Sequence, residues 1–179
     1  MIGDLPVGRP ITMPINTSEL HANSPSHPVN QQSSPLSGMP THSVSVAGIA
    51  VRDDGRVLVI QRRDNGNWEP PGGVLELTET FDEGVRREVA EETGVHVEVE
   101  QLTGVYKNVK QGIVALVFRC HPAAGEATAT DESRRVAWFT PDEVRQHMTP
   151  AYAIRVLDAL DGGVATRAHD GVRMIRSTS

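Results

Sequence analysis

Residues 72–95 read GGVLELTETFDEGVRREVAEETGV, and the reading of this stretch decides the fold. Thr80 followed by Glu83 fits a helix-opening capping box, and Gly94 suits the left-handed position that closes a helix. The spacing therefore predicts a helix between them. At about 100° per residue, Phe81, Val85 and Val89 form an apolar stripe within about 80°, the expected core face. Glu88, Glu91 and Glu92 stand at i, i+3 and i+4 and share the adjoining face, with Glu92 inside the angular range of the stripe. Such acids admit two readings. On a solvated face they would be interleaved with bases, and Arg87 can pair with Glu83 or Glu91. Glu88 and Glu92, however, have no Lys or Arg three or four residues away. Like charges at i and i+4 cost roughly 0.2–0.5 kcal/mol, more when partly buried. A hard divalent cation, which prefers carboxylate oxygens, removes that cost. Helix geometry alone leaves both readings open.

Upstream, Trp68-Glu69-Pro70-Pro71-Gly72-Gly73 is a stiff extended stretch ending in two glycines. Gly72 and Gly73 permit either a plain turn or close approach of the backbone to a ligand. Two β-rich runs precede it, SVSVAGIAV from Ser43 and RVLVIQR from Arg56. Asp53-Asp54-Gly55 between them predicts a hairpin. Downstream, VHVEVEQL alternates like a half-buried strand, Ile113–Phe118 is apolar throughout like a strand buried on both faces, and Arg134–Phe139 is a further strand. Thr140-Pro141-Asp142-Glu143 is a second capping box, and Thr149-Pro150 opens a third helix that Gly162 stops. Residues 163–179 show no period and are expected to fray.

Residues 1–42 hold seven of the twelve prolines, with many Ser, Thr and Asn and no sustained period. They are expected to form a disordered tail, leaving one domain over 43–162. Met39, just before the first strand, is an alternative start, and the mass of the native protein tests it. The net charge of −6 offers no basic face for duplex nucleic acid. No run is long enough to span a membrane, and no secretory signal is expected. The single cysteine, Cys120, fits a reducing, cytoplasmic setting. The seven histidines show no zinc spacing.

Gly73, five residues, Glu79, seven residues, then Arg87, Glu88, Val89, Glu91, Glu92, Gly94 and Val95 resemble the signature of the Nudix hydrolases at every fixed position. Nine constrained positions over 23 residues make the likeness specific. Flanking features extend it over about 43–160. The resemblance implies an α/β/α sandwich around a mixed β-sheet. It also implies Mg²⁺- or Mn²⁺-dependent hydrolysis of a nucleoside diphosphate linked to another group. Glu88, Glu91 and Glu92 become the metal ligands, joined by the backbone carbonyl of Gly73, and Arg87 orients the carboxylates. Glu132 is the candidate for an extra catalytic acid, since some relatives draw their base from a distant loop. For substrate, Arg62 or Arg63 meets phosphate or lies on the surface. Trp68 stacks on a base or caps the core, and Tyr106 either stacks on a base or sits at a strand edge. The QRR strand and the short core look MutT-like and suggest a (d)NTP or oxidised purine nucleotide. ADP-ribose or a nucleotide sugar is the alternative, although KNVKQG lacks the proline of many ADP-ribose pyrophosphatases. A non-catalytic nucleotide-binding regulator is the rival from another class. A homodimer is compatible with the resemblance.

Overall fold

The computed structural model describes residues 38–176, so the tail expected over 1–42 lies almost wholly outside the described residues. The elements are β1 (Ser43–Ala50), β2 (Val57–Arg62), β3 (Trp68–Glu69), β4 (Gly72–Val74), α1 (Phe81–Thr93), β5 (Val95–Asn108), β6 (Ile113–Gly125), β7 (Ser133–Phe139), α2 (Pro141–His147), α3 (Pro150–Asp161), β8 (Ala165–His169) and β9 (Met174–Ile175). One sheet runs β4-β1-β6-β5-β8-β9, mixed in direction, and a second runs β3-β2-β7. No helix among the described residues is long and apolar enough to cross a membrane.

Strand β1 is the spine. It pairs parallel with β6 and antiparallel with β4, so both its edges are covered. Its side chains alternate, as the strand period demands. Ala47, Ile49 and Val51 join a core with Val144, Met148 and Val156 of the α2–α3 side, while Val46 and Ala50 join a core with Val85 and Val89 of α1. The result is the expected α/β/α sandwich. Gly48 lets α1 approach closely, because a Cβ there would lie 2.6 Å from Val89 Cγ2.

The helix signals act as the sequence indicates. Thr80 Oγ1 accepts from the Glu83 amide at 3.3 Å and Glu83 Oε2 accepts from the Thr80 amide at 2.8 Å; Thr140 and Glu143 repeat the device. Gly94 and Gly162 end α1 and α3 at φ of 73° and 83°. Phe81 departs from the expected core stripe. It stacks on Phe118 at a centroid distance of 6.5 Å yet is 46% exposed.

Two expectations fail. The turn over Asp53–Gly55 forms, with the Gly55 amide donating to Arg52 O at 2.9 Å, but β1 and β2 do not make a hairpin. After one bridge, Val51 to Val57, they part into different sheets, and β2 pairs with β7 and β3. β1 lies instead between β4 and β6, and β2 between β3 and β7. Residues 163–176, the described part of the segment expected to fray, carry two strands instead. β8 pairs in parallel with β5 from Gly104–Ala165 to Asn108–His169, and β9 pairs with β8. It is held by backbone ladder bonds and by Arg167, whose Nε and Nη2 donate to Asp158 at 2.6 Å each, rather than by an apolar face.

Candidate active site

The acids of α1 sit where the helix meets β4. Glu92 is 3% exposed, and one of its oxygens accepts from the Gly72 amide at 2.8 Å. Glu88 is 7% exposed and packs on Gly73, where a Cβ would fall 2.5 and 2.6 Å from its two carboxylate oxygens. The absence of a side chain at Gly73 is what admits this carboxylate. β4 is fixed in turn by its register on β1, Val46 opposite Gly73 and Ala47 opposite Gly72.

Arg87 gathers the remaining charges. Its Nε and Nη2 donate to Glu79 at 2.6 and 2.9 Å, and its Nη1 donates to Glu88 at 2.8 Å and Glu91 at 3.1 Å. Nη2 also reaches Val74 O at 3.2 Å, tying the helix to the loop. The guanidinium holds Glu79 at about 2, far below the usual carboxylate range. Burial acts the other way on the inner acids. It raises the pKa of Glu88 against the pull of Arg87, and lifts Glu92 to about 7 against the Gly72 amide, with the charges of Glu88 and Glu132 adding to the rise.

The loop before β7 is pinned to the end of α1. Ser133 Oγ donates to Glu92 O at 2.8 Å, and the Thr128 amide donates to Thr93 O at 2.9 Å. That brings exposed Glu132 into the field of Glu88 and Glu92. Arg63 serves the same loop, donating from Nη2 to Thr130 O at 2.8 Å. Arg62 faces the cleft, bonded to Asp64 at 3.2 Å and 3.9 Å from Glu92.

A cleft of about 310 Å³ opens beside Gly72 and Gly73 and continues past Arg62 and Glu69 to Tyr152 and Arg155. Trp68 stands outside it, half-buried, its ring 4.7 Å from that of Phe139. Tyr106 corrects the sequence expectation: it is neither at a strand edge nor free to stack on a base. β5 lies inside the sheet between β6 and β8, and the ring is fully buried with its hydroxyl donating to Asp158 at 2.7 Å. Sequence reasoning missed Glu69, Tyr152 and Arg155. The available signal was in α3, where Arg155 and Asp158 fall on the stripe set by Ala151 and Ala159, at about 100° per residue. Charges on an apolar stripe mark a buried polar site.

Among the described residues, no three acidic, histidine or cysteine side chains converge closely enough to cage an ion as they stand. Arg87 draws Glu91 and one oxygen of Glu88 to itself. The donor set nonetheless suits a hard cation. It offers oxygen atoms only, two of the carboxylates are buried, and the one cation beside Glu92, Arg62, stands 3.9 Å away and is shared with Asp64.

Comparison with known proteins gives this acid-bearing helix its class. Residues 41–160 match the family described as the NUDIX domain, and the chain belongs to that family, whose members hydrolyse diphosphate bonds. It is 60% identical over 137 residues to a "MutT-like protein" of Streptomyces ambofaciens, covering 76% of this chain and 89% of that one. It is 35% identical over 104 residues to an "ADP-ribose pyrophosphatase" of Methanocaldococcus jannaschii, covering 54% of this chain and 61% of that one. Among solved structures, a MutT NUDIX hydrolase from Burkholderia pseudomallei superposes with a TM-score of 0.60 at 30% identity, over 66% of this chain and 98% of that one.

Proposed function

We propose that the protein is a metal-dependent pyrophosphohydrolase for a nucleoside triphosphate, including an oxidised purine nucleotide, and that water attacks phosphorus beside the Gly72–Gly73 strand. The observation that carries this reading is the burial of two carboxylates, Glu88 and Glu92, against those two glycines, which line the cleft. Arg87 meets one oxygen of Glu88, and the Gly72 amide meets one of Glu92; a bound cation would offset the burial of the carboxylate charge that these partners leave. Glu88, Glu91 and Glu92 would hold Mg²⁺ or Mn²⁺ together with the Gly73 carbonyl. Bound there, the metal neutralises the diphosphate and lowers the pKa of a water.

The chain's own residues have separate tasks. Arg87 positions Glu88 and Glu91 and anchors the loop through Glu79 and Val74. Glu132, exposed at the rim of the acid cluster, takes the proton from the attacking water. Arg62 meets phosphate from the cleft wall. Arg63 holds the Glu132 loop through Thr130 and does not touch substrate.

The likeness to the MutT-like protein over 89% of its length supports the triphosphate, and the likeness to the ADP-ribose pyrophosphatase favours ADP-ribose as the second reading. A substrate panel decides between them. Turnover of dGTP, 8-oxo-dGTP, ADP-ribose and UDP-glucose is measured with Mg²⁺ and with EDTA. A triphosphate is expected to be cleaved fastest, and only with metal. Preference for ADP-ribose would transfer the assignment, and no metal-dependent turnover of any of the four would defeat it.

A further inference from the structure

The cleft is also lined by residues outside the acidic box. Arg155 is 8% exposed and borders the cleft, yet among the described residues it makes no ion pair and its Nε has no hydrogen-bond partner. Its guanidinium lies instead against two aromatic rings, 4.7 Å from the centroid of Tyr152 and 5.4 Å from that of Tyr106. Nη2 stands 3.1 Å from Nε2 of His169, whose Nδ1 accepts from the Gly171 amide at 3.0 Å. A guanidinium so enclosed is normally matched by a carboxylate. Here it lies between the two rings, and because Nδ1 of His169 is the accepting nitrogen, Nε2 carries the proton and accepts nothing from Arg155.

Glu69 borders the same cleft. It is held on β3 by pairing with Ile60, half-buried, beside the Tyr152 hydroxyl and within the fields of Arg155 and Arg62. The cleft lining thus holds guanidinium donors and an acceptor-only carboxylate together. A further phosphate would satisfy Arg155 but would be repelled by Glu69. A neutral group with acceptors beside donors satisfies both.

We propose that Glu69 and Arg155 recognise the base of the substrate, and that the base is guanine. This rests on the hydrolase reading above and names the nucleoside end of the same site. The N7 and O6 acceptors of guanine match the guanidinium donors; oxidation at C8 turns N7 into an N–H donor and breaks that match, so among the triphosphates of the hydrolase reading this pair selects the unoxidised guanine nucleotide. Its adjacent N1–H and N2 amino donors match the Glu69 carboxylate. Adenine sets a single donor between single acceptors, and neither pyrimidine has two adjacent ring-edge donors beside two acceptors. Tyr152, whose ring lies against the Arg155 guanidinium, acts as a positioning residue.

Binding of GMP, AMP, UMP and inorganic pyrophosphate to the whole protein is measured by calorimetry in Mg²⁺ buffer. GMP is expected to bind about 10-fold or more tighter than AMP or UMP. Glu69→Gln, which preserves shape, should erase that preference, and Arg155→Lys, which keeps the charge but loses the fork, should weaken GMP by about 10-fold. Both variants should bind pyrophosphate as the wild type does. Equal binding of GMP and AMP, or GMP affinity unaltered in Glu69→Gln, would overturn the proposal. Equal losses for GMP and pyrophosphate would make Arg155 a phosphate ligand and overturn it too. Failure here with turnover intact in the substrate panel leaves the hydrolase reading standing. Selective GMP binding without turnover does the reverse.

Discussion

Glu92→Gln is expected to lower metal-dependent turnover by about 10³-fold while making the metal-free protein more stable at neutral pH. The two effects have one origin. Glu92 is 3% exposed, and burial, followed by the charges of Glu88 and Glu132, raises it from the ordinary 4.5 to about 7 against the Gly72 amide. In the folded state the carboxyl keeps its proton over a pH range in which the unfolded chain has released it. The stability this contributes is fully present below about pH 4.5 and is lost as pH rises through about 7, an effect of at most about 3 kcal/mol. Glutamine keeps an oxygen for the Gly72 amide and carries no charge. Denaturant unfolding in EDTA should therefore show the variant gaining on the wild type between pH 5 and pH 8. Saturating Mg²⁺ should stabilise the wild type far more than the variant. A constant difference between the two proteins across that range would show that Glu92 ionises without penalty.

Gly73→Ala should separate activity from stability. The added Cβ would fall 2.5 Å from one oxygen of Glu88 and 2.6 Å from the other. Those oxygens end a flexible side chain, so the carboxylate can swing aside and the fold should lose less than about 1 kcal/mol. The displaced ligand should nonetheless cost about 100-fold in turnover, since misplacement by an ångström is enough for that. Gly48 shows the contrast. Its Cβ would meet Val89 Cγ2 at 2.6 Å inside a packed core, where nothing swings freely. Steady-state kinetics and thermal melts of Gly73→Ala read the two effects apart. Turnover within threefold of wild type would remove Glu88 from the metal site, and a collapsed melting temperature would make Gly73 a folding residue first.

What was legible in the sequence was local. Thr80 with Glu83, Thr140 with Glu143, and Gly94 and Gly162 specify helix ends through atoms a few residues apart, and the helices begin and end there. The inner carboxylates were legible for the same reason, since i, i+3 and i+4 on one helix need no knowledge of the fold. Pairing partners were not. The turn at Asp53–Gly55 formed as its residues dictate, but whether β1 and β2 stay together depends on β4, β6 and β7, which lie far along the chain. β8 carries no apolar period because its place is set by backbone bonds to β5 and by Arg167 on Asp158. Tyr106 was misread through the same gap, since β8 turns its strand from an edge into an interior one. Glu69, Tyr152 and Arg155 come from β3 and α3, and only the folded chain brings them to one cleft.

The placing of β1 between two cores has a consequence for how the molecule breathes. α1 cannot lift from the sheet without baring Val46 and Ala50, and the opposite face of the same strand is committed to α2 and α3. Amide protons at the centre of β1 should therefore exchange with solvent only when the whole domain opens. β8 and β9 are attached along one margin, and they can peel away at smaller cost. The acids of α1 are thus mounted on the slowest-exchanging part of the chain. Arg155, which lies against His169 of β8, borders the part that opens first.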